Sequence, residues 1–321
     1  MIPDSQCKKA VRGASGIHIV LPRYYAPDGM GLVDMSTSDG RFLFLLPWQG
    51  HVLVGTTDTP TDDMSMKPEP AEKQIQWLLK ECSKYLHPEL QVRREDVLSA
   101  WSGIRPLAID PYARSTAAIS RDHVISHNPT TGVIFISGGK WTTYREMASD
   151  LIDKALSVGN IDQSTVEATK SCSTLTIPLN GKVGFSNNLT LRLCQEFKIS
   201  FAVAKHLASA FGGHASEVCR IALNEPTRRL QDQIIASQPY IRAEVVFSVR
   251  HEFARHAEDI IARRMRLAFL NKVDALRSIP VVVEIMGDEL KWSASTRRKE
   301  IERCTKYLEH FGGPEPMHGK D

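Results

Sequence analysis

The stretch that most constrains the fold is Gly132-Val133-Ile134-Phe135-Ile136-Ser137-Gly138-Gly139-Lys140-Trp141-Thr142-Thr143-Tyr144-Arg145. A turn residue opens it, and the β-branched and aromatic run Val133 to Ile136 predicts a short buried strand. Gly138-Gly139 ends that strand and lets the backbone come close to whatever sits above it. Tyr144, Met147, Ala148, Leu151, Ile152 and Ala155 then recur at helical spacing, and Gly159 follows as a C-cap. Two glycines, a lysine and hydroxyls at a helix start form an anion cradle. The first N–H groups have no partner inside the helix, and the dipole adds positive charge there.

Phosphate, carboxylate or the electron-rich edge of a reduced flavin would suit that cradle. The same residues also make a tight strand-to-helix turn with Thr142 as its N-cap, and both readings stand at this point. The glycine spacing of a P-loop is absent.

Composition narrows the class. A chain of 321 residues with 42% hydrophobic and 24% charged residues is ordinary globular material, one large or two ordinary domains. Its longest apolar run, Phe42 to Trp48, falls well short of the roughly 20 residues of a membrane helix. The net charge is only +3, and Arg263-Arg264-Met265-Arg266 and Arg297-Arg298-Lys299 sit on helical patterns beside acids. Solvated faces are expected there, not nucleic-acid contact. The six cysteines include no Cys-x-x-Cys pair, so reduced thiols are expected and no zinc or dithiol site. His18, His51, His87, His123, His127 and His206 lack metal-ligand spacing, and Met1 to Arg12 has no signal-peptide apolar core.

Residues 17 to 60 predict an antiparallel portion. Strands are expected over Ile17 to Leu21, Arg41 to Leu46 and His51 to Val54, the first two stopped by Pro22 and Pro47. Asp39-Gly40 marks a turn, and Trp48-Gln49-Gly50 joins two strands at hairpin distance. A helix with the face Ile75, Leu78, Leu79, Cys82 and Leu86 follows, ended by Pro88, then strands over Val97 to Trp101 and residues 117 to 126. Residues 1–160 are expected as one domain and 161–188 as a linker with at most the strand Leu175 to Leu179. Residues 189–321 are expected as a helical domain. Its apolar faces begin with Leu189, Leu193 and Phe197, then Val203, Ala204, Leu207, Ala208 and Phe211, stopped by Gly212-Gly213. A long helical stretch from Ile241 to Leu270 and a last helix from Thr296 to Phe311 complete it.

Several residues carry a chemical reading beside a plain structural one. Arg105, just past a strand and held by Pro106, suits bidentate recognition of carboxylate or phosphate, or makes a surface ion pair. Thr57 and Asp58 at a strand end offer a hydroxyl and a carboxylate, or form an Asx or Ser/Thr turn. His18 on an apolar strand is a satisfied core histidine or a base. Lys140 at a helix N-terminus is disfavoured by the dipole and asks for an anionic partner. Together Arg105, Lys140 and the threonines could converge on one phosphate.

Five motifs then stand in order: Gly16-Ile17-His18-Ile19-Val20-Leu21-Pro22, Leu46-Pro47-Trp48, Gly55-Thr56-Thr57-Asp58-Thr59-Pro60, Trp101-Ser102-Gly103-Ile104-Arg105-Pro106-Leu107 and Gly138-Gly139-Lys140-Trp141-Thr142-Thr143-Tyr144-Arg145. The chain resembles the FAD-dependent glycerol-3-phosphate dehydrogenases, the mitochondrial branch most closely. Glu252-Phe253-Ala254 through Arg263 to Leu270 resembles their C-terminal helical domain. The implied fold class is α/β plus all-α: a partial FAD-dependent oxidoreductase fold of the glycine-oxidase type, with a mixed antiparallel substrate sheet and a helical domain. No Gly-x-Gly-x-x-Gly stands in the sequence. The family's N-terminal FAD-binding βαβ unit is therefore expected to be missing, as are EF-hand repeats.

The resemblance implies oxidation of sn-glycerol 3-phosphate to dihydroxyacetone phosphate, with hydride passing to FAD and electrons on to ubiquinone. It implies Arg105, Lys140, Thr142 and Thr143 on the substrate and Gly138 and Gly139 on the cofactor. Thr57 and Asp58 are weaker candidates, entered on the cofactor side, and His18 is a candidate proton acceptor, a role the resemblance does not assign. It also implies a peripheral place on the mitochondrial inner membrane, while a homodimer is one assembly left open. Two alternatives stand beside it: a non-catalytic remnant or interaction module, and a related flavin oxidase of amines or amino acids.

Overall fold

The computed structural model describes residues 11–27, 29–109, 119–120, 122–159 and 161–314. In chain order the first elements are β1 (Val11–Pro22), β2 (Leu32–Asp34), β3 (Leu43–Trp48), β4 (His51–Gly55), β5 (Thr59–Thr61) and α1 (Glu72–Ser83). Next come β6 (Ser99–Ile109), β7 (Ile119–Ser120), β8 (His123–His127), β9 (Ile134–Gly138), α2 (Tyr144–Val158) and α3 (Gln163–Ala168). The helical part holds α4 (Leu189–Phe197), α5 (Phe201–Phe211), α6 (Ala215–Asn224), α7 (Arg242–His251), α8 (Leu267–Leu270), α9 (Lys272–Glu289) and α10 (Ala294–Leu308). Contacts divide the chain into a smaller unit (Met1–Gly16, Asp58–Pro68, Gly103–Ile177) and a larger one (Ile17–Thr57, Glu69–Ser102, Pro178–Asp321).

In the larger unit β2, β3, β4 and β1 form an antiparallel sheet, with Val20 of β1 opposite Leu53 of β4 and Leu45 of β3 opposite Val54. The β3–β4 hairpin closes through Gln49 and Gly50, both at positive φ (48° and 78°), which matches the strand twist. β3 does not stop before Pro47 but carries it to Trp48. Pairing with β2 ends at Leu45, so the missing N–H of Pro47 costs no ladder bond on that side. The fully buried Ile17, Ile19 and Leu21 meet Ile75, Leu78, Leu79 and Cys82 of α1 in one apolar cluster. α1 ends at Ser83, five residues before Pro88, where the Ser83 hydroxyl donates to the Leu79 carbonyl.

The helical core follows the expected faces closely at its start. α4 buries Leu189, Leu193 and Phe197, and α5 buries Val203, Ala204, Leu207 and Ala208 before the glycine turn. The long helix expected from Ile241 to Leu270 is broken instead into α7, a π-helical turn over Asp259–Arg264, and α8. The break comes where Phe253 takes a positive φ of 59° and the Ser248 carbonyl accepts both the Glu252 and the Ala254 N–H. α9 lacks a single apolar face and holds Pro280 inside it, which is why periodicity does not single it out.

Four charges tie this core's surface. Arg228 and Arg250 each bridge Glu225 and Glu289 at 2.5–2.8 Å. Burial pushes the Glu289 carboxyl up, but the hydrogen bonds from both arginines outweigh it; those of Arg250 and then Arg228 also hold Glu225 below the usual range. A depressed carboxyl pKa adds stability above the ordinary glutamate value of about 4.3. That gain is lost as pH falls through the lower folded values. Melting temperature measured against pH should therefore fall on the acid side, and Glu289→Gln should flatten that fall; an unchanged acid limb in the variant would contradict the linkage.

The smaller unit is built differently. β5 pairs with the start of β1, Ala14 opposite Pro60, while β7 pairs with the end of β6, Ala108 opposite Ser120. β8 and β9 form a separate antiparallel hairpin, Ile125 opposite Ile136, with α2 beside it. The strand expected over residues 117 to 126 is thus two strands, and β9 is not buried: Phe135 is 44% exposed. Among this unit's described residues only Ala14 and Ala108 are buried hydrophobics, and α2 buries none. The segment Leu175 to Leu179 makes turns rather than a strand, and α3 lies just before it, N-capped by Asp162 through the Thr165 N–H.

Candidate active site

The turn between β9 and α2 is shaped by its two glycines. Gly138 and Gly139 have φ of +75° and +72°. A Cβ on Gly138 would lie 2.6 Å from the Cβ of Ala108 and 3.0 Å from the Asp122 carbonyl oxygen. On Gly139 it would lie 2.7 Å from the Met147 sulfur and 3.1 Å from the Cβ of His123. Only glycine meets both demands, positive φ and close approach. Beneath the turn, His123 lies 2.9 Å from Asp150 of α2 through Nε2 and 3.1 Å from Asp122 through Nδ1, tying β8 to the helix. No spacing in the sequence marks that pair, since the partners lie in different elements.

After the glycines the chain makes one 3₁₀ turn, Trp141–Thr143, before α2. Lys140 is the N-cap of that turn and Thr143 the N-cap of α2, so Thr142 does not hold the capping position. The Thr143 hydroxyl donates to the Lys140 carbonyl at 3.0 Å, which fixes the turn. Lys140, Thr142 and Trp141 are exposed, and the N–H groups of this first turn precede the helical ladder. Gly159 does act as C-cap of α2, but at φ −70° rather than in the left-handed region.

Arg105 lies within β6, not beyond it, because that strand runs on to Ile109. Its guanidinium makes a loose 3.5 Å ion pair with Asp58, both side chains being partly exposed. Strand alternation puts Arg105 and Ala108 on opposite faces, so it is Ala108 that meets the glycine pair. Arg105, Asp58, Gly138, Gly139, Lys140, Thr142 and Thr143 all belong to the smaller unit.

His18 and Thr57 belong to the larger unit. The His18 imidazole stacks on Trp101 (centroids 5.6 Å apart, planes at 15°) and tilts against Phe44. Opposite it in the ladder stands Gly55, where a Cβ would come within 2.5 Å of the His18 ring. The glycine is thus the space that the histidine occupies. Trp101 and Gly55 are the site neighbours that sequence reasoning passed over as parts of motifs. Thr57 is fully buried, and its Oγ1 accepts the Ile17 N–H at 3.0 Å, pinning β1 to the end of β4.

Comparison with known proteins finds two matched stretches of the chain. Residues 2–145 match the model of the FAD dependent oxidoreductase family, and residues 172–297 match the C-terminal domain of alpha-glycerophosphate oxidase. A mitochondrial glycerol-3-phosphate dehydrogenase of Arabidopsis thaliana is 43% identical over 96% of this chain and 49% of its own length. That of Mesocricetus auratus is 43% identical over 95% of this chain and 41% of its own. The chain thus spans about half the length, or less, of these relatives. The structure of the glycerol-3-phosphate dehydrogenase from Bacillus halodurans complexed with FAD superposes with a TM-score of 0.75. It covers 97% of this chain and 59% of that one at 21% identity, which establishes the fold. Among the described residues no helix is long and apolar enough to cross a membrane.

Proposed function

The chain belongs to the FAD-dependent glycerol-3-phosphate dehydrogenase family, and from that premise we propose that it supplies the substrate-phosphate side and one flavin edge of such an enzyme. The whole protein oxidises sn-glycerol 3-phosphate to dihydroxyacetone phosphate. The observation that carries this reading is the glycine turn, with two adjacent positive-φ glycines and Lys140 at the mouth of α2. Arg105 lies in the same unit.

The residues present fit one edge of a flavin. The donors at the turn are backbone N–H groups and an exposed ammonium, which suit an electron-rich ring edge and the negative charge it gains on reduction. Gly138, Gly139 and the first turn of α2 would hold that edge, and bound FAD would supply the hydride acceptor. No Gly-x-Gly-x-x-Gly in the sequence offers a cradle for the diphosphate, so the chain by itself should take up FAD weakly.

Arg105 is proposed to bind the substrate phosphate through its planar fork, its 3.5 Å pair with Asp58 being loose enough to be displaced by a dianion. Lys140 adds a mobile point charge, and Thr142 contributes a hydroxyl at the exposed turn. Thr143 acts by holding the Lys140 carbonyl. Thr57 and Asp58 are proposed on the cofactor side, Thr57 by fixing the backbone of β1. In the larger unit His18 is proposed as the acceptor of the substrate hydroxyl proton, its ring plane set by Trp101. Ubiquinone as electron acceptor, a peripheral position on the mitochondrial inner membrane and a homodimer complete the proposal; of these, the relatives' names support the mitochondrial place alone.

The test uses Arg105→Ala, Lys140→Ala and the double variant in a full-length enzyme containing these residues. Arg105→Ala should cost about 2–5 kcal/mol in kcat/KM for glycerol 3-phosphate. If both cations hold one phosphate, the double-variant cycle should show coupling of about 0.5 kcal/mol or more. Unchanged kinetics in Arg105→Ala would sink the assignment.

A further inference from the structure

The helical part of the larger unit contains a pocket that the proposed dehydrogenase chemistry does not use. It has a volume of about 200 Å³ and lies between the end of α5, α7 and the π-helical turn. Phe211, Ile260 and Met265 give it an apolar lining, and Ser248, which is 2% exposed, lines it as well. Three arginines line it: Arg263, Arg264 and Arg266.

Two of the three are engaged. Arg264 donates to the Glu252 carboxylate at 2.6 Å and to the carbonyls of Asp259 and Glu252, while Arg263 pairs with Asp259 at 2.5 Å. The lining carboxylate of Glu244 is engaged too, accepting the Ile241 N–H at 2.7 Å and lying 2.7 Å from His206 Nε2. Arg266 has no ion pair among the described residues, and Ser248 Oγ makes no hydrogen bond among them.

The backbone points the same way. The π-helical turn carries a Met265 N–H to Ile260 carbonyl bond at 2.9 Å, and the Tyr240 hydroxyl donates to the Met265 carbonyl. Together they place Arg266 at φ 59°, ψ 16°, a conformation that favours glycine. An arginine there is worse for the backbone than glycine, so its presence asks for a use of the side chain.

We propose that this pocket binds a small monocarboxylate with a compact apolar body, its carboxylate on Arg266 and Ser248. The apolar lining selects the body, and the planar guanidinium matches the carboxylate. A second negative charge on the ligand would face Glu244 and Glu252, so dianions are rejected.

Isothermal titration of the full chain with isovalerate, isovaleramide and inorganic phosphate tests this. Isovalerate should bind, with the amide and phosphate each at least about tenfold weaker, as expected for loss of a charge-assisted pair. Arg266→Gly should weaken isovalerate at least about tenfold while leaving the melting temperature unchanged or raised, since glycine relieves the backbone. A merely structural Arg266 would give the reverse pattern. Ser248→Ala, which leaves the backbone alone, should weaken binding about threefold and decides the matter if Arg266→Gly does not fold. Absence of isovalerate binding, equal binding of the amide, tighter phosphate binding, or unaltered affinity in the variants would each overturn the proposal.

Discussion

Gly138→Ala is expected to destabilise the smaller unit by about 2–5 kcal/mol. Two costs add. The added methyl forces a residue at φ +75° into the left-handed region, at about 1–2 kcal/mol. It also lands 2.6 Å from the Cβ of Ala108, a fully buried residue on a paired strand, and 3.0 Å from a backbone oxygen. Neither neighbour is the end of a flexible side chain, so the clash must move backbone, at about 1–3 kcal/mol. Gly139→Ala shares the first cost but largely escapes the second, because its nearest neighbour is the Met147 thioether, which can turn away. Amide exchange in β9 and α2 should therefore rise much more for Gly138→Ala than for Gly139→Ala. Equal effects would show that backbone conformation, not the approach of β6, dictates glycine at position 138.

Hydrogen exchange across the parent protein should separate its two units. Amides of β8, β9 and α2 are expected to exchange at least about a hundredfold faster than those of α5, α7 and α9, an opening difference of about 3 kcal/mol or more. The physical basis is burial. The larger unit seats Leu189, Leu193, Leu207, Ile241, Ile260 and their neighbours in one continuous apolar core. The smaller unit's described residues bury two alanines, while Trp141, Tyr144 and Ile152 stand 89%, 55% and 56% exposed. Leu207→Ala calibrates the comparison: it should cost about 2–5 kcal/mol, slowing nothing in α2 but accelerating exchange through the helical core. Uniform protection across both units would refute the contrast.

Much of this was legible in the residues. The faces of α4 and α5 were legible, with Phe211 only partly buried at the end of α5, because a helix packed on a core needs an apolar stripe at its own period. The hairpin at Gln49-Gly50 was legible because only certain residues tolerate two positive φ values in succession. The chemistry proposed around Arg105 and the glycine turn rests on several motifs standing in order, each weak alone. What failed was periodicity in α7 to α9. There the pattern is apolar on many sides, and a positive φ at Phe253, a π-helical turn and an internal Pro280 interrupt the expected run.

The sequence alone determined where glycine must stand, which helix faces are apolar, and which cationic residues flank a strand-to-helix turn, for these follow from local sterics and from the periods of helix and strand. Tertiary structure alone decided that Arg105 lies inside β6 beside Asp58, that Ala108 is the atom group excluding a side chain at Gly138, and that Trp101 and Gly55 frame His18. It alone gathered three arginines around Ser248. Such contacts join residues distant along the chain, and their geometry is set by how whole elements pack, which no local pattern encodes.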